Sequence, residues 1–256
     1  MKRLVSQKSV LKKLIALSIA LVIFFCAFAN AEEKTKPNSQ NQGLKQGLPT
    51  LLPRELEIEL ARSAAPKRLQ ADATVYVLER GGYVIAKEGT NGFTCFVDRF
   101  TPTGVHPGVF IPICYDRIGT KTVLPKLLER ARLYESGLSN EQVEAEINEG
   151  FRSGKYQSVP RTGVAYMWSP FFTFSNGKGL RELNLPHTMI YGPFVTNEDL
   201  GSPGQQLTGV PFMVNPGPHG DIIFPLGEKE REAIKADYAP MIQRMEKYIA
   251  HLRNKK

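Results

Sequence analysis

The chain has 256 residues, of which 33 are Lys or Arg and 25 are Asp or Glu, so its formal net charge is +8. Five of the basic residues lie within the first 13 positions, and without them 28 basic residues face 25 acidic ones, a net charge of +3. A charge this small argues against nucleic acid or an anionic membrane surface as the main partner of the folded chain.

The first 31 residues have the three parts of a secretory signal peptide. A basic start without acidic residues leads into an apolar stretch at 14–28, which only Ser18 interrupts, and Ala29-Asn30-Ala31 supplies a small-x-small cleavage site. The apolar stretch is shorter than the roughly 20 residues that span a bilayer. We therefore expect cleavage after Ala31, a periplasmic or secreted mature chain and no stable membrane span. An uncleaved anchor is the alternative.

Composition divides the mature chain into a linker and one domain. Residues 32–50 are rich in Lys, Gln, Asn and Gly, a composition that buries too little apolar surface to order itself. The remaining residues, 51–256, are of a length that one domain accommodates.

The first half of this domain is predicted to contain a helix at 51–64 and then three strands at 73–78, 83–87 and 93–98, paired as an antiparallel meander. A segment rich in Pro and Gly follows. Apolar residues at helical spacing predict a helix at 123–135, and the capping-box pattern of Ser139 and Gln142 opens another that ends at Gly154. Further strands are predicted at 164–168, 187–191, 210–214 and 221–224, and a helix at 228–252.

The element order predicts an α+β domain, in which an antiparallel sheet carries its helices on one face. Helix, meander, two helices and further strands is the order of PAS-like, Cache-like and profilin-like domains, which this chain resembles in order alone. An extra strand on each side departs from their five-strand pattern.

The C-terminal helix carries a heptad-like apolar seam. Its members step by four and three residues along the helix: Ile234, Tyr238, Met241, Met245, Tyr248 and Leu252. The seam either packs on the chain's own sheet or forms a homodimer. Pro240 lies inside the pattern and is expected to kink the helix.

Two cysteines, Cys95 and Cys114, remain after signal cleavage. In an oxidising compartment an even pair indicates a disulfide. Closing the intervening loop would stabilise the chain by about 3 kcal/mol in the chain-entropy model. Two buried free thiols are the alternative.

Three segments resemble a family of uncharacterised secreted bacterial proteins: residues 61–66 (ARSAAP), 89–95 (GTNGFTC) and 186–191 (PHTMIY). The resemblance spans most of the mature chain and implies a periplasmic or secreted setting, but it brings no known activity. In physical terms, Asn and Gly in the second segment favour a tight turn, with a backbone-lined binding loop as the alternative.

Aromatic residues are concentrated around Trp168, which is the single tryptophan of the chain. They form either a packed core or the wall of an apolar ligand pocket. For the pocket, the candidate aromatic residues and polar partners are Trp168, Tyr166, Tyr191, Phe171, Arg99 and His187.

Three histidines next to Pro or Gly provide a second hypothesis. His106, His187 and His219, with Asp221, would hold Zn²⁺ if they met over the sheet, as three protein ligands and a water do in catalytic zinc sites. Their spacing follows no metal signature, so loop histidines that make ordinary hydrogen bonds are the alternative. No cofactor is otherwise predicted.

Motifs for nucleophilic, zinc-peptidase, redox and phosphate-binding chemistry are missing from the sequence. We therefore expect an exported, non-enzymatic module that binds a small molecule or an envelope protein. The alternatives are a metal-dependent hydrolase that uses the loop histidines and an envelope protein that dimerises through its C-terminal helix.

Overall fold

The computed structural model describes residues 48–175, 179–183, 185–204 and 210–253, with the last three as backbone only. The predicted signal peptide and residues 32–47 of the predicted linker lie outside these ranges. The final residue of that linker is tied to the fold, because the Thr50 amide donates to the carbonyl of Pro107 and its own carbonyl accepts from Arg99.

An eight-stranded sheet organises the chain. Its strands are β1 (Thr74–Glu79), β2 (Gly82–Lys87), β3 (Thr94–Asp98), β6 (Ile111–Tyr115), β7 (Val164–Met167), β10 (His187–Tyr191), β11 (Phe212–Val214) and β12 (Asp221–Pro225). Two small hairpins lie apart from it: β4 (Phe100–Thr101) with β5 (Gly104–Val105), and β8 (Thr173–Ser175) with β9 (Leu180–Glu182). The order across the sheet is β11-β12-β10-β7-β6-β3-β1-β2.

Seven helices are found among the described residues: α1 (Arg54–Ser63), α2 (Lys67–Gln70), α3 (Arg117–Thr122), α4 (Leu124–Glu135), α5 (Asn140–Arg152), α6 (Glu228–Asp237) and α7 (Ala239–Arg253). Helix α5 begins with the predicted capping box, in which Ser139 and Gln142 each bond the other's backbone amide. Gly154 follows its end with a φ of 78°, a conformation that glycine adopts without strain.

The α+β class is confirmed, but the helices cover both faces of the sheet rather than one. Successive strand side chains point to opposite faces. In β3, Cys95 and Val97 pack with α1 and α7, whereas Phe96 between them packs with α4. Because both faces are covered, the central strands are apolar on both sides, and alternation along the sequence could not reveal the second layer.

The predicted antiparallel meander is wrong in its third strand. β1 and β2 form an antiparallel hairpin, but β3 pairs with β1 on its other side and runs parallel to it. The connecting loop crosses the start of β1, where the amides of Thr90 and Asn91 donate to the carbonyl of Asp72. Gly89 allows this crossing, since a Cβ there would lie 2.2 Å from the Thr74 nitrogen. Strand β2 is therefore left at the edge of the sheet.

Cys95 and Cys114 form a disulfide in the structure, as predicted. They face each other on the antiparallel strands β3 and β6, and both side chains are fully buried. The bond joins two central strands under α1.

The predicted C-terminal helix is divided into α6 and α7 at Tyr238. Pro240 is the second residue of α7, where a missing amide hydrogen costs nothing, whereas within a continuous helix it would break a hydrogen bond. Met241 and Met245 of the seam are fully buried in the cluster that includes α1, whereas Tyr248 is only partly buried and Ile249, outside the predicted seam, is buried in its place. This part of the seam therefore packs within the chain. Among the described residues, no helix combines the length and apolarity needed to cross a membrane.

Candidate functional site

A cleft of about 340 Å³ lies where Trp168, the turn between α1 and α2, and the junction of α6 with α7 meet. Its apolar lining is Ala65, Pro66, Trp168 and Ile234. Its polar lining is Ser63, Lys67, Arg68, Gln70, Asp237 and Tyr238. An apolar wall with a few polar groups is typical of small-molecule sites.

Small residues bring the turn after α1 against the end of β7. The amide of Trp168 donates to the carbonyl of Ala64 at 2.9 Å, and the hydroxyls of Ser63 and Ser169 lie 2.7 Å apart. Ala64 and Ala65 are buried, so larger side chains there would separate the two segments. The segment 61–66 thus forms one wall of the cleft.

The orientation of the Trp168 indole is fixed by contacts with two residues, Thr188 and Tyr166. Its Nε1 donates to the hydroxyl of Thr188 at 3.0 Å, and its ring meets that of Tyr166 edge-on at 5.6 Å between centroids. Because its one hydrogen-bond donor is satisfied by the protein, Trp168 offers the cleft an apolar surface in a fixed orientation.

Hydrogen bonds connect the two sides of the cleft. Gln70 donates to the Ala65 carbonyl and to the Tyr238 hydroxyl, both at 2.7 Å. Burial raises the pKa of Tyr238, so its hydroxyl stays protonated at neutral pH. Lys67 pairs with Asp237 at 2.8 Å.

Arg68 is the uncommitted cation of the cleft. Its side chain is exposed, and it has no ion pair or hydrogen bond with any other residue that the structure describes. A free guanidinium at the edge of an apolar cleft is suited to an acidic group on a bound molecule.

Of the six residues that the sequence nominated for a ligand pocket, Trp168 lines this cleft and Tyr166 supports it. Tyr191 and His187 lie on the opposite face of the sheet, where Tyr191 donates to Asp116 at 3.0 Å and His187 Nδ1 lies 2.6 Å from the carbonyl of Leu185. The structure therefore does not bring these two residues to Trp168.

Phe171 and Arg99 do not line the cleft; each contacts Phe110, in the loop before β6. Phe171 packs edge-on against Phe110, and the Arg99 guanidinium lies 3.8 Å from the centroid of the same Phe110 ring. Arg99 is fully buried and donates to the carbonyls of Val109 and Thr50. Burial lowers its pKa to about 10, although the carboxylate of Glu57 acts in the opposite direction. This arginine anchors the loop rich in Pro and Gly.

The predicted zinc ligands are dispersed. His106 accepts from the amide of Gly108 in its own loop, His187 lies beside Leu185, and His219 bonds the carbonyl of Gln157 at 2.7 Å. Within the described ranges, no three His, Cys, Asp or Glu side chains are grouped closely enough to hold a metal ion. The hydrolase hypothesis therefore gains no geometric support.

Sequence reasoning missed Gln70, Arg68 and Tyr238. Gln70 and Tyr238 are 168 positions apart, and nothing in their local sequence indicates that they meet. Comparison with known proteins adds no identification, because no family model, curated protein or solved structure matches this chain.

Proposed function

We propose that the chain is an exported, non-enzymatic binding module that holds a small molecule in the Trp168 cleft. The observation that carries the proposal is the combination of an oriented indole with an uncommitted Arg68 around a space of about 340 Å³. Pockets for small ligands commonly lie between roughly 300 and 1,000 Å³.

The chemistry of the lining suggests the kind of ligand. Trp168, Ile234 and Pro66 would contact an apolar or aromatic body, while Gln70 and Tyr238 keep their hydrogen bonds to each other. Arg68 would pair with an acidic group. We therefore expect a small aromatic or aliphatic acid rather than a sugar or a cation.

The first experiment compares native and denatured mass spectra of the protein recovered from the periplasm. We expect a mass excess that disappears on denaturation and corresponds to an organic acid. The denatured mass also tests export, because cleavage after Ala31 leaves a chain that begins at Glu32.

A matched pair of charge reversals then tests the site. Arg68→Glu should remove the mass excess. It should also weaken the binding of 8-anilinonaphthalene-1-sulfonate, an aromatic anion, by about tenfold, which is the effect of losing a charge-assisted contact of roughly 1.4 kcal/mol. Arg161→Glu, at an exposed arginine outside the cleft, is the control. Binding is followed by energy transfer from Trp168. Equal affinities for the two variants, or binding without energy transfer, would reject this cleft as the site.

A further inference from the structure

A second group of polar side chains lies on the other face of the sheet, under α4. Lys126 of α4 is half-buried, and its Nζ lies 5.7 Å from the centroid of the Phe151 ring. The same ring meets His219 edge-on at 5.0 Å, and Asp221 begins β12 two residues later. Lys126 is the charged neighbour that acts on both His219 and Asp221.

These three groups have unused bonding capacity. The side chains of Lys126 and Asp221 make no hydrogen bond or ion pair with any residue in the described part of the chain, although Asp221 is only 7% exposed. His219, 6% exposed, donates through Nε2 to Gln157, which leaves its buried Nδ1 as an acceptor without a partner. By contrast, Arg130, one turn after Lys126, is paired with Glu144 at 3.1 Å.

Buried polar groups in native proteins are nearly always bonded, so the buried, unpaired Nδ1 of His219 needs an explanation, and the unpaired side chains of Asp221 and Lys126 need to be part of it. A bound metal ion is a poor explanation, because Lys126 and Arg130 are cations and the described residues form no metal-ligand group. A molecule that reacts with the amine and bonds both the carboxyl group and the imidazole would satisfy all three.

The electrostatic surroundings favour the reactive forms. Burial and the charge of Arg130 lower the pKa of Lys126 to about 8, although Asp221, Asp98 and Glu144 act in the opposite direction. Burial raises the pKa of Asp221 to about 7, opposed by Lys126. Near neutral pH, a neutral amine and a protonated carboxyl group are both accessible, as acid–base chemistry requires.

We propose that Lys126 captures small carbonyl compounds, aldehydes or 2-oxo acids, as an imine. The lone pair of Nζ attacks the carbonyl carbon and forms the C–N bond. A proton moves from nitrogen to oxygen to give the carbinolamine, whose hydroxyl donates to Nδ1 of His219. Asp221 then protonates that hydroxyl, which leaves as water while the C=N bond forms and nitrogen loses its remaining proton to the Asp221 carboxylate. Addition of water reverses the sequence.

The test is reductive trapping on the full mature chain. Glyoxylate and sodium cyanoborohydride are added at about pH 7, and the carboxymethylated lysines are quantified by peptide mapping. Lys67 and Lys155 are internal controls, because both are exposed and their partners, Asp237 and Glu129, raise their pKa values. From the neutral fractions of the amines, we expect Lys126 to be labelled at least about tenfold faster than either control.

The pH dependence of the labelling ratio distinguishes a reactive amine from a merely accessible one. Cyanoborohydride reduces the protonated imine, a requirement that both lysines share, so the ratio of labelling at Lys126 to labelling at Lys155 should stay level up to about pH 8 and fall between about pH 8 and 10. Labelling of Lys126 no faster than that of Lys155, or a ratio that does not fall in this range, would overturn the proposal.

Two variants assign the roles. Lys126→Arg keeps the charge and should abolish labelling at this position. Asp221→Asn removes an anion and so lowers the pKa of Lys126 further, yet it should slow trapping several-fold because the acid is lost. Faster trapping in this variant would refute the role of Asp221. Arg68→Glu should leave trapping unchanged, so failure of the cleft hypothesis and failure of this one are separable.

Discussion

Asp116 connects three elements through one carboxylate. Its Oδ1 accepts from the Gly119 amide at 2.9 Å, which caps α3, and from the Tyr191 hydroxyl at 3.0 Å. Its Oδ2 accepts from the Val164 amide at 3.0 Å, at the start of β7. A carboxylate at a helix N-terminus is expected from sequence statistics, but the two bonds to distant strands are not.

We predict that Asp116→Ala lowers the free energy of unfolding by about 2–4 kcal/mol, because it removes a cap and leaves part-buried donors without an acceptor. Urea unfolding measures the change. Asp199→Ala is the control: Asp199 makes a similar turn with Thr196 but is exposed, so its loss should cost less than about 1 kcal/mol. Similar losses for the two variants would show that Asp116 is only a local cap.

At the scale of elements, the apolar seam of the C-terminal region has two different environments. In α7, Met241 and Met245 are completely buried. Helix α6 has no buried residue, and Ile234 is half-exposed at the edge of the cleft. The repeat in the sequence is continuous, so it predicts the apolar face but not where the chain covers it.

The expected consequence is a large difference between two truncations. Met245→Ala should cost about 2–5 kcal/mol, because it leaves a cavity in the core, whereas Ile234→Ala should cost less than about 1 kcal/mol. Chemical denaturation of both variants in the same buffer provides the comparison. A large loss for Ile234→Ala accompanied by dissociation of a dimer would instead support the homodimer that the heptad pattern suggested.

The order of the strands in the sheet also depends on contacts between different elements. Strands β1 and β2 pair as the Gly81-Gly82 turn predicts, because a short hairpin is a local structure. The position of β3 depends on a crossing loop that contacts residue 72 and on the partner strand β6, which lies beyond the following loop. Local turn chemistry therefore predicts that the chain turns after β2, but not the side of β1 to which it returns.

On the scale of the whole molecule, two buried groups couple folding to pH with opposite signs. Burial raises the pKa of Asp221 from 3.8 to about 7, so the unfolded chain loses this proton first and stability falls as the pH rises between these values. Burial and Lys126 lower the pKa of His219 from 6.5 to about 4, so the unfolded chain binds this proton first and stability falls as the pH drops through that range.

In the wild-type chain these two contributions oppose each other between about pH 4 and 6.5. We predict that Asp221→Asn removes the contribution of the carboxyl group and leaves that of His219, so that the free energy of unfolding rises with pH across this range. His219→Gln should show the reverse, a fall with rising pH. Each pKa unit corresponds to about 1.4 kcal/mol, so the divergence should reach a few kcal/mol. Urea midpoints at several pH values measure this divergence. If the midpoints of the two variants changed with pH in the same way, the two groups would not have opposing effects on stability.

The sequence by itself determined what depends on neighbouring residues: the α+β class, the capping box at Ser139 and most strand positions. It also predicted Cys95 and Cys114 as disulfide partners, from the number of cysteines. Only the tertiary structure decided that helices cover both faces, that β3 runs parallel to β1, and that Trp168 shares a cleft with Gln70, Arg68 and Tyr238 rather than with Tyr191. Caps, turns and periodicity are local effects of backbone geometry. The side of a sheet on which a side chain lies, and its partners there, depend on contacts between segments far apart in the chain, for which single-sequence patterns carry no signal.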